Sequence, residues 1–137
     1  MLNKSTEAAI AAMSRLAEAY CRDEPPLTAT QIAESRDLQR PFVAKLLTVL
    51  SLQGLIKGTP GPRGGYRLAR APSEITLFQI MECFERTERP LQCPFGPNFC
   101  SGEGPHCPLH EDLLRLRDDR DSFLGETTLE VFCKIDE

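Results

Sequence analysis

Residues 54–70 read Gly-Leu-Ile-Lys-Gly-Thr-Pro-Gly-Pro-Arg-Gly-Gly-Tyr-Arg-Leu-Ala-Arg, and this stretch decides the fold. Residues 55–58 and 65–70 are short β-like runs, and the segment between them consists mainly of proline and glycine. The pattern predicts a β-hairpin that carries Arg63 at its tip. The stretch contains no acidic residue, and its basic residues are Lys57, Arg63, Arg67 and Arg70.

Three helical patterns precede the hairpin. Apolar residues recur at helical spacing within residues 5–22, where Ser5 is the predicted N-cap. A short helix begins at Thr28 or Thr30, and a third helix covers residues 39–53. Helix, short helix, helix and hairpin is the order of a winged helix-turn-helix. The predicted fold class is therefore mainly α with a small β wing, followed by a long C-terminal dimerisation helix.

That last helix is predicted to run from residue 108 to about residue 125. Pro108 suits a first helical turn, and acidic residues at positions 111 and 112 favour the positive end of the helix dipole. An apolar stripe runs along the helix through Leu109, Leu113, Leu116, Phe123 and Leu124. A single small domain offers little surface to cover this stripe, so we prefer pairing with a second copy over packing on the chain's own core.

Charge is distributed unevenly along the 137 residues, whose formal net charge is −4. Residues 1–70 contain ten Lys and Arg against six Asp and Glu, whereas residues 71–137 contain six against fourteen. No apolar run approaches the roughly 20 residues that span a bilayer, and the N-terminus lacks the apolar segment of a signal peptide. We therefore expect a cytoplasmic protein without a membrane partner.

The order of the elements predicts that the third helix enters the major groove of double-stranded DNA. Glutamine can pair with adenine and arginine or lysine with guanine, while threonine hydroxyls and a wing arginine can meet phosphates or the minor groove. The candidate DNA-binding residues are Thr28, Thr30, Gln39, Arg40, Pro41, Lys45, Arg63 and Arg67. Winged helices also bind proteins, so an adaptor domain is the alternative.

Three evenly spaced cysteines lie in residues 93–110, which read Cys-Pro-Phe-Gly-Pro-Asn-Phe-Cys-Ser-Gly-Glu-Gly-Pro-His-Cys-Pro-Leu-His. Six residues separate Cys93 from Cys100, and six separate Cys100 from Cys107. Thiolates are ligands of iron-sulfur clusters and of zinc, although the loop lacks the Cys-x2-Cys knuckles usual in structural zinc sites. A cluster, zinc and plain thiols are the three interpretations. An enzyme is not expected, because Cys107 and His110 lack a third orienting group.

The remaining cysteines are Cys21, Cys83 and Cys133, and each lies within an apolar helical pattern. In a cytoplasmic protein, thiols stay reduced and clustered cysteines bind metal more often than each other. We therefore expect each of these three residues to behave as a small buried hydrophobic side chain.

A family resemblance rests on three segments: residues 53–56 (Gln-Gly-Leu-Ile), the wing residues 63–70 (Arg-Gly-Gly-Tyr-Arg-Leu-Ala-Arg) and residues 75–82 (Ile-Thr-Leu-Phe-Gln-Ile-Met-Glu). Together they resemble the bacterial Rrf-type winged-helix transcription regulators, which include the iron-sulfur cluster regulator IscR, the nitric-oxide sensor NsrR and the iron-responsive regulator RirA. The resemblance covers nearly the whole chain. It implies a homodimer that binds an operator and holds an iron-sulfur cluster through Cys93, Cys100 and Cys107. A two-iron two-sulfur cluster is favoured over a four-iron four-sulfur cluster.

The resemblance gives two candidates for a fourth cluster ligand. His110 is in the position where similar regulators place a histidine, and it is preferred. Glu7 is in the position where nitric-oxide-sensing relatives place an acidic ligand that comes from the other subunit. His106 is a weaker candidate, because adjacent side chains rarely converge on one metal. The chain departs from the cluster regulator in its cysteine gaps, which are each one residue longer.

We divide the chain into four parts: a winged helix-turn-helix (1–71), a connecting helix (72–91), a cysteine loop (92–107), and a dimerisation helix with the C-terminal segment (108–137). The expected function is a transcription regulator, a repressor, whose operator binding depends on a cluster that senses redox state, iron or nitric oxide. The alternatives are a winged-helix adaptor and a thiol- or zinc-based regulator without a cluster. No small-molecule substrate is expected.

Overall fold

The computed structural model describes residues 2–85 and 106–134, and its elements follow the predicted order. The helices are α1 (Lys4–Cys21), α2 (Ala29–Ser35), α3 (Arg40–Leu52), α4 (Leu77–Glu82) and α5 (His110–Glu126), with 3₁₀ helices at Pro72–Glu74 and Leu129–Lys134. Strands β1 (Ile56–Thr59) and β2 (Gly65–Leu68) pair in antiparallel fashion. The predicted fold class, a winged helix-turn-helix with a long C-terminal helix, is confirmed.

Side-chain caps define where the first two helices begin. Thr28 caps α2 through a capping box: its hydroxyl accepts a hydrogen bond from the Gln31 backbone N–H at 3.1 Å, and the Gln31 side chain accepts one from the Thr28 N–H at 2.9 Å. The prediction of Ser5 as the N-cap of α1 is wrong. The Asn3 side chain accepts from the Thr6 N–H at 2.7 Å, so Ser5 lies inside the helix.

One hydrophobic cluster of the described residues joins the winged helix to the C-terminal segment. α1 is in contact with α2, α3, α4, β2 and the C-terminal 3₁₀ helix (Leu129–Lys134). The large fully buried side chains include Met13, Leu16, Ile32, Val43, Leu47, Leu50, Ile75, Ile80, Met81 and Leu129. Because Leu129 belongs to this cluster, the segment that follows α5 is part of the core.

α5 begins two residues later than predicted. His110 is its first residue, whereas Pro108 lies in the preceding turn and therefore outside the first helical turn. The physical reason is the backbone of Leu109, whose φ of −103° and ψ of 8° are not helical.

No helix within residues 2–85 or 106–134 is long and apolar enough to cross a membrane.

After α5 the chain returns to the start of α4. The Leu77 N–H donates a hydrogen bond to the Thr127 carbonyl, and the Leu129 N–H donates one to the Ile75 carbonyl, each at 2.9 Å. These bonds form a small bridge beside α4 and fix the direction in which the C-terminal 3₁₀ helix leaves α5.

The prediction for the three cysteines outside the loop is wrong for two of them. Cys21 and Cys133 form a disulfide with a Cα–Cα distance of 5.7 Å. Cys21 is exposed because it is the last residue of α1, and Cys133 is half-buried where the C-terminal 3₁₀ helix lies along α1. Cys83 is also only half-buried, and its thiol donates to the Gln79 carbonyl at 3.3 Å. Burial, with a smaller contribution from Glu82, raises the pKa of the Cys83 thiol.

Candidate nucleic-acid interface and metal-binding loop

α3 buries one face and presents the opposite face to solvent. Its buried side chains are Val43, Leu46, Leu47 and Leu50. The predicted DNA-binding residues Arg40, Pro41 and Lys45 are all exposed. Arg40 and Pro41 begin α3, the end that contacts base edges when such a helix enters the major groove, and Lys45 lies just over one turn further along.

Thr48 belongs to the same exposed face and was missed in the sequence analysis. Residues 40, 44 and 48 are four positions apart and therefore lie on one face of α3. This helical spacing could have identified Thr48 from the sequence. The Thr48 hydroxyl donates to the Ala44 carbonyl at 3.0 Å. With its hydroxyl engaged, Thr48 offers mainly its methyl group, a suitable contact for the methyl group of thymine.

The turn before α3 is fixed by an arginine that reaches α1. The Arg36 guanidinium donates to the Ser14 hydroxyl at 3.1 Å and to the Glu18 carboxylate at 2.5 Å. The Leu38 N–H donates to the Ala33 carbonyl at 2.8 Å and closes the end of α2. Gln39 then forms the N-cap position of α3 without a side-chain cap bond, so its exposed amide is available to an adenine edge.

The wing is held against the segment between α1 and α2. The Tyr66 N–H donates to the Leu27 carbonyl at 2.7 Å, and the Leu27 N–H donates to the Tyr66 carbonyl at 3.1 Å. Gly65 has a φ of +150°, and a Cβ atom there would lie 2.6 Å from the Leu27 carbonyl oxygen. At Gly64 a Cβ atom would lie 2.0 Å from the Thr59 carbonyl oxygen. The two glycines of the Gly-Gly-Tyr sequence are therefore required by close backbone approach.

The basic side chains of this surface are available to a partner. Arg63 is exposed at the tip of the hairpin, and Arg67 is exposed on β2 opposite Lys57. Arg40, Lys45, Arg63 and Arg67 form no ion pair with any residue in the described part of the chain, whereas Arg15 and Arg36 are paired with glutamates of the core domain.

The two threonines predicted to meet phosphates differ in what they can offer. The Thr28 N–H is occupied by the Gln31 side chain, and the Thr28 hydroxyl accepts the Gln31 N–H, which leaves the hydroxyl proton for an outside acceptor. Thr30 is exposed in the first turn of α2.

The structure describes the end of the cysteine loop from residue 106, and several side chains of kinds that bind metals lie there. Cys107 is buried three residues before α5 begins, and its carbonyl accepts the His110 N–H at 3.1 Å. The ring of His106 stacks on that of His110 with a centroid distance of 3.7 Å. Ligand atoms of His106, His110 and Glu111 all lie within 4.8 Å of one another. His106 was predicted to be a weaker ligand candidate than His110, whereas the structure stacks the two rings. Cys93 and Cys100 lie outside the described residues.

Glu7, the alternative fourth ligand, lies near the N-terminus, far in sequence from the cysteine loop. It is exposed in the first turn of α1 and lines a cavity together with Asp37, Gln39 and Phe42. Glu7 is therefore a neighbour of the residues that begin α3.

The apolar stripe of α5 divides between two faces. Leu124 is only 2% exposed and packs in the core cluster. Leu109, Leu116 and Phe123 follow one another at seven-residue intervals and are 44%, 49% and 60% exposed. A repeat of seven on one helical face is the spacing that a second helix covers.

Curated relatives and a family model match most of the chain. The family described as Rrf2, iron-dependent transcriptional regulator, matches residues 2–135. A protein of Aquifex aeolicus (strain VF5), named among the HTH-type transcriptional regulators, is 33% identical over 109 residues that cover 78% of this chain and 75% of the relative. The HTH-type transcriptional regulator IscR of Xenorhabdus nematophila is 28% identical over 111 residues, which cover 81% of this chain and 66% of that regulator. These names describe transcriptional regulators rather than enzymes.

Solved structures agree with the fold. T. potens IscR superposes with a TM-score of 0.76 at 26% identity, over 100% of this chain and 88% of that one. CymR, described as the global cysteine regulator of B. subtilis, superposes with a TM-score of 0.79 at 25% identity, over 97% of this chain and 95% of that one. Taken with the match over residues 2–135, these similarities establish that the chain belongs to the Rrf2 family of transcriptional regulators.

Proposed function

We propose that this Rrf2-family regulator is a homodimeric repressor that binds an operator in double-stranded DNA through α3 and the wing. The observation that carries the proposal is the joint exposure of Arg40, Lys45, Arg63 and Arg67 on two neighbouring elements of one domain. Arginine and lysine without ion-pair partners supply the phosphate contacts that dominate DNA affinity. α3 then reads base edges in the major groove, with Gln39, Pro41 and Thr48 near those edges and Thr28 and Thr30 near phosphate.

The dimer part of the proposal rests on α5. Leu116 and Phe123 expose large apolar surface on α5, and Leu109 adds to it from the N-cap position. Two copies of α5 laid against each other would cover both stripes, which is the usual isologous arrangement of a twofold dimer. A palindromic operator would then present one half-site to each winged helix.

We infer that the cysteine loop holds a two-iron two-sulfur cluster through Cys93, Cys100 and Cys107, with His110 as the fourth ligand. The described end of the loop fits such a group, because a buried thiol and an imidazole lie in one turn at the start of α5. When bound, a cluster supplies a centre that responds to redox state, iron supply or nitric oxide. Cys107 and His110 would hold that centre at the first turn of α5, so altered ligation would act on the dimer helix. Glu7 of the partner subunit is the alternative fourth ligand, and a loop reaching it would touch the start of α3.

A second candidate, a zinc-based regulator without a cluster, is favoured by one observation. His106, His110 and Glu111 bring two imidazoles and a carboxylate within 4.8 Å of one another. Two nitrogen ligands and one oxygen ligand, with a fourth position left to water or another group, are a set that zinc accepts.

The proposal divides the chain as the sequence suggested. Residues 1–71 bind DNA, residues 72–91 connect, residues 92–107 hold the cluster, and residues 108–137 form the dimer. We place the protein in the cytoplasm, where the loop thiols are kept reduced for metal binding.

The test is purification without oxygen, followed by visible absorption and assays for iron, acid-labile sulfide and zinc. A cluster predicts iron and sulfide with absorption bands that disappear in Cys100→Ala. Stoichiometric zinc without sulfide would select the second candidate. A protein that binds neither metal after reconstitution would contradict both, while duplex-DNA binding measured on the same sample tests the repressor separately.

A further inference from the structure

The Cys21–Cys133 disulfide joins two parts of the chain that lie far apart in sequence. The bonded residues are separated by 112 positions, and their Cα atoms are 5.7 Å apart, within the range in which a disulfide closes without backbone movement. Cys21 ends α1, and Cys133 lies near the end of the C-terminal 3₁₀ helix. One bond therefore links the first helix of the winged domain to the segment that follows α5.

The two ends of the C-terminal 3₁₀ helix are held differently. At its start, Leu129 is fully buried and its N–H donates to the Ile75 carbonyl. Towards its end, Val131 is 47% exposed, Phe132 is half-buried and Lys134 is exposed. The disulfide is thus the strongest attachment of the last turn, while the first turn is anchored by the core.

The surroundings also distinguish this pair from the other described cysteines. Cys21 is exposed, so a small oxidant can reach its sulfur. Cys83 is half-buried with its thiol donated to the Gln79 carbonyl, and Cys107 is buried. Thiol oxidation depends on exposure, which favours entry at Cys21 over the half-buried Cys83 and the buried Cys107.

We propose that Cys21 and Cys133 form a reversible disulfide, here called the thiol latch. The latch closes on exposure to peroxide and then fixes the C-terminal segment to α1, independently of the cysteine loop. The Cys21 thiolate attacks one oxygen of hydrogen peroxide and breaks the O–O bond, which gives a sulfenic acid and, after protonation, water. The Cys133 thiolate then attacks that sulfur and displaces a second water, so two thiols lose two electrons and two protons and one peroxide is reduced. A dithiol reductant returns both thiols.

The latch goes beyond the proposed cluster sensor, because its thiols are separate from the loop and its target is the C-terminal segment. Disulfides of proteins in a reducing compartment are usually transient and redox-sensing. An open latch leaves the last turn of the 3₁₀ helix held by non-covalent contacts, namely the packing of Phe132 on the core and the Cys133 sulfur 3.8 Å from the Ala17 carbonyl oxygen. A closed latch ties the segment after α5 covalently to the helix that packs on α3.

The experiment compares dithiol-reduced and peroxide-treated full-length protein by peptide mapping and amide hydrogen exchange. Peroxide is expected to produce a Cys21–Cys133 cross-linked peptide and to slow exchange in residues 130–134 at least about tenfold. Cys83→Ser, which removes a described thiol outside the pair, should respond as the natural sequence does. Cys21→Ser and Cys133→Ser should each lose the response, and both substitutions are at positions that serine can occupy without filling new space.

Two results would overturn the latch. One is a pair of separately alkylated thiols after peroxide treatment, and the other is a slowing of exchange that persists in Cys21→Ser and Cys133→Ser. Duplex-DNA binding measured on the same samples keeps the two proposals apart. Absence of DNA binding in every sample counts against the repressor, whereas equal exchange in both thiol states counts against the latch.

Discussion

Replacing Gly65 with alanine is expected to detach the wing from the rest of the DNA-binding domain. The new Cβ atom would lie 2.6 Å from the Leu27 carbonyl oxygen, 2.7 Å from its carbon and 2.9 Å from its nitrogen. All three are backbone atoms, which cannot move aside as a side chain can. Relief of the clash must therefore separate Tyr66 from Leu27 and break the two hydrogen bonds that hold the hairpin.

The magnitude follows from two contributions to the free energy of unfolding. A φ of +150° is rarely adopted by a residue with a side chain, and such strain costs about 1–3 kcal/mol. Loss of the two Leu27–Tyr66 hydrogen bonds costs about 0.5–1.5 kcal/mol each. The total of about 2–6 kcal/mol is a large fraction of the stability of a small domain, which is about 5–15 kcal/mol.

Gly61→Ala is the matched control, because Gly61 also has a positive φ, +103°, but nothing lies within 4 Å of its Cβ position. It should lose only the strain contribution of about 1–3 kcal/mol. Urea unfolding measures both losses, and fluorescence anisotropy with a labelled duplex measures DNA binding in the absence of urea. Gly65→Ala should lose more stability than Gly61→Ala and should also bind DNA more weakly. Equal losses in the two variants would refute the attachment of the wing to Leu27.

Three further substitutions test the DNA face, the dimer face and the turn before α3. Arg63→Ala should weaken binding to any duplex and reduce the salt slope of the affinity by about 0.9, while Lys134→Ala should leave both unchanged. Phe123→Asp should shift the protein from dimer to monomer in sedimentation, because it places a charge in the exposed α5 stripe; Val131→Asp, an exposed apolar residue outside that stripe, should remain dimeric. Arg36→Ala should lower the free energy of unfolding by about 1–3 kcal/mol in urea titrations, because it removes the charge-assisted hydrogen bond to the mostly buried Glu18 carboxylate.

The parts of the fold that the sequence predicted are those fixed by local chemistry. The hairpin was predictable because proline and glycine define its turn. Thr28 and Thr30 were both possible caps of α2 from the sequence, and the structure selects Thr28 through its capping box with Gln31. Gly54, with a φ of +78°, ends α3 as expected of a glycine in the left-handed region. The cap of α1 was not predicted, because Asn3 and Ser5 are both good capping residues. Asn3 caps the helix, and its side-chain amide also donates to the Phe84 carbonyl at 3.0 Å, a contact between residues far apart in the sequence.

The parts that the sequence did not predict depend on contacts between distant residues. Cys21 and Cys133 are far apart in the chain, and their pairing arises only because the C-terminal 3₁₀ helix returns to α1. The helical pattern around each cysteine indicated burial, but Cys21 is the exposed last residue of α1 and Cys133 is only half-buried. The grouping of His106 with His110 is likewise set by the turn before α5, which spacing alone does not specify.

The two glycines of the wing motif that carries the family resemblance are required by the structure of the wing itself. Gly64 and Gly65 have no side chain to offer a phosphate, and the carbonyl oxygens of Thr59 and Leu27 occupy the space that a Cβ would need. What the two glycines provide is a fixed position for Arg63 relative to α3. The resemblance at the wing therefore reflects the backbone geometry of the hairpin. In the proposed DNA complex, sequence specificity would come from the exposed residues of α3.

α1 is the element through which the two functional regions of the molecule can be connected. It contacts α3, which carries the candidate DNA-reading residues, and it also contacts α4 and the C-terminal 3₁₀ helix, which follow the wing and α5 respectively. One face of α1 is packed in the core, where Ala9, Ala12 and Ala17 are fully buried, so the helix has little room to deform on that side and should move as a unit. A change in the contacts of α5 or of the C-terminal segment would therefore displace α1, and with it α3. Coupling between these contacts and DNA binding requires that α1 have two discrete positions. The thiol latch and the proposed cluster ligands act at the two ends of α5, so each can bias that equilibrium without contacting DNA.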